Sequence, residues 1–110
     1  MTSPLAAPLR VGQVFELVFP SFTSHITIRS ESELTVEIVA GDNLGFSDTT
    51  TYETVAIRSA LVLLSWQEHN GSSIVHVLDF SCGDAYTAVT PAKGGFWRLK
   101  GRIELKSPVD

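Results

Sequence analysis

Apolar and polar residues alternate with a period of two through most of this 110-residue chain. Leu34, Val36 and Ile38, for example, alternate with Thr35 and Glu37. Alternation of this kind is typical of β-strands with one buried face, whereas the helical period of 3.6 is missing. Turn signals such as Asn-Gly and Gly-Gly interrupt the pattern roughly every 8–12 residues, which indicates an all-β sandwich or barrel.

Eight segments carry the alternation, and they predict strands over residues 11–19, 23–29, 33–39, 51–58, 61–68, 73–80, 84–90 and 96–105. The longest irregular stretch between them is 41–50, and long loops in compact domains often cover a site. Residues 10–106 are predicted to form a single domain. Residues 1–9 and 107–110 lack any period and are predicted to be tails.

Composition narrows the classes of protein that remain. A hydrophobic fraction of 44% excludes a disordered chain, and the net charge of −4 argues against a nucleic-acid partner. No apolar run approaches the ~20 residues of a membrane helix, so no membrane partner is expected. The single cysteine, Cys82, cannot form an internal disulfide, which favours the cytoplasm. His25, His69 and His76 share neither a face nor a metal-ligand spacing, so no metal and no cofactor are predicted.

The last strand indicates which face lies inside. It places Trp97 and Leu99 on one face and a charged row from Arg98 to Glu104 on the other. Because charge is rarely buried unpaired, the Trp97 face is predicted to point inward. Directly opposed residues on neighbouring strands share a face, and a two- or four-residue loop preserves the parity of the pairing. The facing can therefore be carried backwards along the chain.

If every hairpin loop has an even number of residues, the pairing predicts a barrel interior with an apolar floor and several polar groups. The floor is Val55, Ile57, Val62, Leu64, Val75, Val77, Leu99 and Ile103, and the predicted ligand-binding residues are Trp66, Glu68, Glu53, Asp79, Tyr86 and Trp97. The opposite face would be an apolar outer wall, and we predict that it forms a homodimer interface. Its residues are Leu61, Leu63, Ile74, His76 and Leu78. A loop with an odd number of residues would reverse the facing of the strands before it.

Three carboxylates on an inward face are costly if they are dry and unpaired. Either the interior holds water and a small, partly aromatic or hydroxylated ligand, or the carboxylates lie at the barrel mouth. Glu68 is the candidate general acid, because burial beside Trp66 would raise its pKa, and Glu53 is the second catalytic candidate. Asp79 could assist Glu68, or accept a structural hydrogen bond from Tyr86.

Residues 56–80 contain Ser-Trp-Gln-Glu at 65–68, the Asn-Gly turn at 70–71 and Val-His-Val-Leu-Asp-Phe at 75–80. Through these motifs the segment resembles the MoaF-like group, small calycin-type barrels named for a molybdenum-cofactor-biosynthesis protein F. This resemblance implies an up-and-down, lipocalin-like barrel of roughly eight antiparallel strands, which agrees with the period of two.

The same segment is similar to the phenolic acid decarboxylases, which share the barrel and a Ser-Trp-x-Glu motif before the hairpin turn. This similarity implies a catalytic role for Glu68. That family also has tyrosines on its first strands and an arginine on the substrate side. Here residues 11–29 contain Phe15, Phe19 and Phe22 but no tyrosine, and residues 45–48 contain no arginine.

Three functions follow as hypotheses. The first is a small-molecule-binding barrel with an acidic, tryptophan-lined pocket. The second is a cofactor-free lyase or isomerase that uses Glu68 as acid or base. The third is an interaction module that docks a protein partner through the outer apolar wall.

Overall fold

The computed structural model describes residues 9–106, and these form eight strands. The strands are β1 (Val14–Val18), β2 (Phe22–Ile28), β3 (Glu33–Gly41), β4 (Ser47–Arg58), β5 (Leu61–Gln67), β6 (Ser73–Asp79), β7 (Asp84–Thr90) and β8 (Trp97–Lys106). Each pairs antiparallel with the next, and β1 pairs with β8 to close a barrel. The predicted all-β, eight-stranded barrel is confirmed. Within residues 9–106 no helix is long and apolar enough to cross a membrane.

Half of the predicted irregular stretch 41–50 is strand, namely Gly41 and residues 47–50, so the prediction is wrong for that half. β4 begins at Ser47, which pairs with Glu37, and only residues 42–46 form the turn. Asn43 and Gly45 adopt positive φ angles of 64° and 97° there, which reverses the chain within a few residues. The predicted tails, 1–9 and 107–110, lie outside the described residues except for Leu9, which packs against the core.

One half of the barrel interior is filled by large apolar side chains. Alternate residues on each strand point inward, and those that lose all or nearly all contact with solvent are Phe15, Leu17, Ile26, Ile28, Leu34, Leu64 and Leu78. An eight-stranded barrel is just wide enough for such side chains to fill, or for one small ligand. This filled half is the packed core that holds the strands around the other half of the interior in place.

Two loops and one bulge reverse the predicted facing. Val89 pairs with Trp97 across residues 90–96, and Gln67 pairs with Ser73 across residues 68–72. Both loops contain an odd number of residues, so each moves the preceding strand's inward set to the other face. The predicted Ser59-Ala60 turn does form, but a register shift around residue 57 reverses the rest of β4.

The facing predicted from the sequence is therefore wrong on β4, β6 and β7 and right on β5 and β8. Residues predicted inside that lie on the outer face are Glu53, Val55, Ile57, Val75, Val77, Asp79 and Tyr86. Residues predicted outside that lie inside are Ile74, His76 and Leu78. Leu61 and Leu63 alternate with the buried Val62 and Leu64 and face outward as predicted.

Candidate functional site

A cavity of about 510 Å³ occupies the half of the barrel that the large core residues leave unfilled. It lies at the end formed by the β3–β4 turn, the β5–β6 hairpin and the start of β8. Its apolar lining is Phe22, Val36, Ile38, Leu44, Phe46, Trp66, Ile74, Val89, Pro91 and Trp97, and its polar lining is Ser24, Asn43, Glu68, Asn70, Ser72, His76 and Thr87. The size and the mainly apolar wall with a few polar groups are typical of small-molecule sites.

Glu68 lies at the mouth of the cavity, immediately after β5. Trp66 Nε1 donates a hydrogen bond to Glu68 Oε2 at 3.2 Å. The hairpin holds the backbone of Glu68, because its N–H donates to the Ser72 carbonyl at 2.8 Å and its carbonyl accepts from the Gly71 N–H at 2.8 Å. The predicted pairing of Trp66 with Glu68 at one site is thus present in the structure.

Burial raises the pKa of the Glu68 carboxyl above its ordinary value, although the hydrogen bond from Trp66 opposes the shift. The negative charge of Asp48 raises this pKa further. A carboxyl with a raised pKa keeps its proton to a higher pH than an ordinary glutamate does, and this favours a role as a general acid. The direction of this shift is the one that the sequence predicted for Glu68 beside Trp66, and the catalytic role of Glu68 stays a prediction.

Asp48 fastens the β5–β6 hairpin to β4 beside this mouth. Its carboxylate accepts a hydrogen bond from the His69 backbone N–H at 2.8 Å and contacts His69 Nδ1 at 2.7 Å. Burial alone would raise the pKa of Asp48, but these interactions outweigh it and the pKa lies below its ordinary value. The sequence did not indicate this pair because residue 48 was predicted to be loop.

His76 and Thr87 form the polar part of the cavity floor. The His76 ring lies 5.1 Å from the Trp66 ring and stacks on Phe19 at 6.3 Å between centroids. Its Nδ1 lies 2.6 Å from Thr87 Oγ1. Burial lowers the pKa of His76 to about 3, so the ring is neutral. The prediction that His76 lies on an outer interface is wrong, because the odd loop before β8 places it inside.

Three of the predicted ligand-binding residues do not line the cavity. Glu53 is exposed on the outer face of β4. Asp79 accepts hydrogen bonds from the backbone N–H and the hydroxyl of Ser81, not from Tyr86. Tyr86 is 46% exposed, and Lys100 Nζ lies 5.7 Å from its ring centroid. Trp97 does line the cavity, at its rim.

Metal ligands do not cluster at this site. Within residues 9–106, no three His, Cys, Asp or Glu side chains come together in a way that could hold a metal ion.

Comparison with known proteins identifies a family and a shared fold. The model of a family described as MoaF-like matches residues 11–104. Among solved structures, the chain is similar to a protein from Burkholderia vietnamiensis described as a "putative beta-lactamase", with a TM-score of 0.85 and 24% sequence identity over 96% of this chain and 100% of that chain. At that identity the likeness shows the barrel fold alone. None of the curated proteins compared with the sequence matches it.

Proposed function

Because this chain belongs to the MoaF-like family and its barrel surrounds a cavity, we propose that it binds a small, largely apolar organic molecule inside the barrel. The observation that carries the proposal is the cavity of about 510 Å³, with a half-buried carboxyl at its mouth. A fold that needed only stability would fill this half with side chains as it fills the other.

Glu68 and Trp66 supply the polar recognition at the mouth in this proposal. The carboxylate accepts a hydrogen bond from a ligand hydroxyl or amine, and the Trp66 indole both holds the carboxylate and offers an aromatic surface. Trp97 covers the ligand from the rim.

Isothermal titration calorimetry with 2-naphthol, a neutral hydroxylated aromatic compound, tests the proposal. We expect saturable binding with one site per chain. Loss of one hydrogen bond to a charged acceptor in Glu68→Gln should weaken binding about tenfold. A chain that binds neither 2-naphthol nor other neutral aromatic compounds of similar size would contradict the proposal.

Acid–base catalysis at Glu68 is a second candidate, and the raised pKa of this carboxyl beside the cavity favours it. The reaction would be a cofactor-free lyase or isomerase step, with Glu68 giving or taking the proton. Glu53 cannot assist from the outer face. A substrate turned over by the native chain and bound but not turned over by Glu68→Gln would support catalysis. Equal turnover by both would exclude this role for Glu68.

The raised pKa of Glu68 also makes stability depend on pH. Between its ordinary value of 4.5 and its folded value, the folded chain holds a proton that the unfolded chain has released. The free energy of unfolding therefore falls as pH rises through this range and remains lower above it. We expect Glu68→Gln to melt at a higher temperature than the native chain at pH ~7 and to lose that advantage near pH 4.5.

Differential scanning calorimetry across this pH range measures the effect. Glu37→Gln is the control, because it removes the same charge from an exposed position on the outer face of β3, away from the cavity and the proposed interface. If the melting temperatures of native chain and Glu68→Gln stay parallel at every pH, the carboxyl is not buried as described.

We also propose that a second copy of this chain covers the outer face of β4–β7. Val55, Leu63, Val77 and Tyr86 are successive cross-strand neighbours there, and Val55 is 55% exposed. This row replaces the predicted interface, of which only Leu61 and Leu63 face outward. Leu63 and Val77 in the middle of the row are partly exposed, and Tyr86 at its end is 46% exposed. A contiguous apolar surface that solvent still reaches often marks an association site.

Charge supports a second copy as the occupant. Arg98 and Lys100 border the row on β8, and Glu53 borders it on β4. A twofold axis parallel to the strands sets Arg98 and Lys100 of each copy towards Glu53 of the other. Light scattering at micromolar concentration should show a dimer that Leu63→Glu dissociates and the exposed control Val11→Glu leaves intact. A native monomer would contradict this proposal.

A further inference from the structure

Three nearly fully buried polar side chains, Ser24, His76 and Thr87, line the cavity. Ser24 is 3% exposed and His76 is 4% exposed. Among the described residues, every side-chain nitrogen or oxygen that is sealed from solvent has a hydrogen-bond partner. The one side-chain hydrogen bond of His76 within this part of the chain uses Nδ1. His76 Nε2 therefore lies on the cavity surface, available to a ligand.

The Thr87 hydroxyl determines which His76 nitrogen carries the proton. A buried hydroxyl hydrogen needs an acceptor, and the side-chain partner of Thr87 in the described residues is His76 Nδ1 at 2.6 Å. When the hydroxyl donates to Nδ1, the neutral imidazole carries its proton on Nε2. The floor then presents an N–H donor to the cavity, with the Ser24 hydroxyl on the wall as a second donor.

The floor and the mouth are separated by an apolar stretch. His76 and Ser72 are four residues apart along the β6 side of the hairpin, which corresponds to roughly 13 Å. Trp66 and Ile74, which pair with each other across β5 and β6, lie between these two levels. A ligand that reaches both levels has an apolar body of about two fused rings between two polar ends.

The described residues that line the cavity offer no counter-ion to an anion. Among the described residues that line it, Glu68 is the one charged side chain, and no lysine or arginine is present. An anionic ligand would lose its hydration without gaining an opposite charge, and it would face the Glu68 carboxylate.

We propose that His76 Nε2–H and the Ser24 hydroxyl form a donor subsite that takes the carbonyl or hydroxyl oxygen of a neutral, ring-containing ligand. This inference rests on the proposed binding function and specifies its ligand class. His76 was not recognised from the sequence as a ligand-binding residue.

Three naphthalenes of nearly equal shape test the subsite by calorimetry: 2-acetylnaphthalene has an acceptor oxygen, 2-ethylnaphthalene has none, and 2-naphthoate is an anion. The native chain should bind the acetyl compound about tenfold more tightly than the ethyl compound, and the naphthoate more weakly than either. His76→Phe should reduce the acetyl-to-ethyl ratio to about one. The matched control is His25→Phe, because His25 contacts Glu16 Oε2 away from the cavity and the ratio should not change.

If His76→Phe does not fold, Ser24→Ala and Thr87→Val test the same subsite. Each should lower the acetyl-to-ethyl ratio, and nitrogen-15 NMR of the native chain should show the His76 proton on Nε2. Equal binding of the acetyl and ethyl compounds by the native chain overturns the donor subsite while the binding function stands. Tighter binding of the naphthoate overturns the neutral ligand class. If none of the three binds, the binding function fails and the subsite with it.

Discussion

Gly101→Ala is expected to lower the free energy of unfolding by about 3 kcal/mol, at the upper end of the cost of overpacking a core. A Cβ at this position on β8 would overlap the Val18 carbonyl oxygen and lie 2.6 Å from Phe19 Cδ1. β1 cannot retreat, because its pairing with β8 closes the barrel. Urea denaturation followed by tryptophan fluorescence measures the loss.

Gly83→Ala separates this steric effect from the general cost of replacing a glycine. Gly83 has a φ of +83°, but a Cβ there would meet its nearest atom at an ordinary 3.7 Å. Its substitution should cost about 1–2 kcal/mol from backbone strain alone. If Gly101→Ala were no more destabilising than Gly83→Ala, the close approach of β1 to β8 would be wrong.

Ile74→Trp is expected to weaken binding of 2-acetylnaphthalene at least about 100-fold, the effect of losing some 3 kcal/mol of binding free energy. Ile74 lines the cavity between its mouth and floor, where an indole would occupy the space of the ligand's ring system. The barrel should tolerate the change, because the larger side chain enters the cavity and not the filled half.

Val75→Trp is the matched control, since Val75 follows Ile74 on the same strand and is 37% exposed on the outer face. It should leave the affinity unchanged. Calorimetry on both variants gives the comparison. Native affinity in Ile74→Trp, or an equal loss in Val75→Trp, would place the ligand outside the barrel.

The barrel could be predicted because the alternation with a period of two within each strand does not depend on the lengths assigned to the loops. Each strand shows its own two faces, whichever of them is buried. The choice between the faces was assigned from β8 backwards, so it depended on every loop. Residues 90–96 and 68–72 form loops with odd numbers of residues, and such lengths are not apparent from Gly-Gly or Asn-Gly signals alone.

The candidate site could be predicted at Trp97, on the strand from which the facing was assigned, and elsewhere only where these reversals cancelled. Trp66 lies on β5, before both odd loops, so its inward facing was correct, and Glu68 was placed correctly with it. His76 lies on β6, between the two loops, so it was assigned to the outer wall. The bulge near residue 57 reversed β4 again and moved Glu53 outside. Such a bulge has no clear sequence signal, because it depends on how the closed barrel packs.

The two tryptophans of the chain, Trp66 and Trp97, both line the cavity, so their indole N–H signals test most directly whether a ligand enters the barrel. In a nitrogen-15 NMR titration with 2-acetylnaphthalene, both indole signals should shift and saturate together. The backbone amides of Val55 and Tyr86, on the outer face, should stay in place. Saturable binding that moves these outer amides and leaves both indole signals unchanged would contradict an internal site.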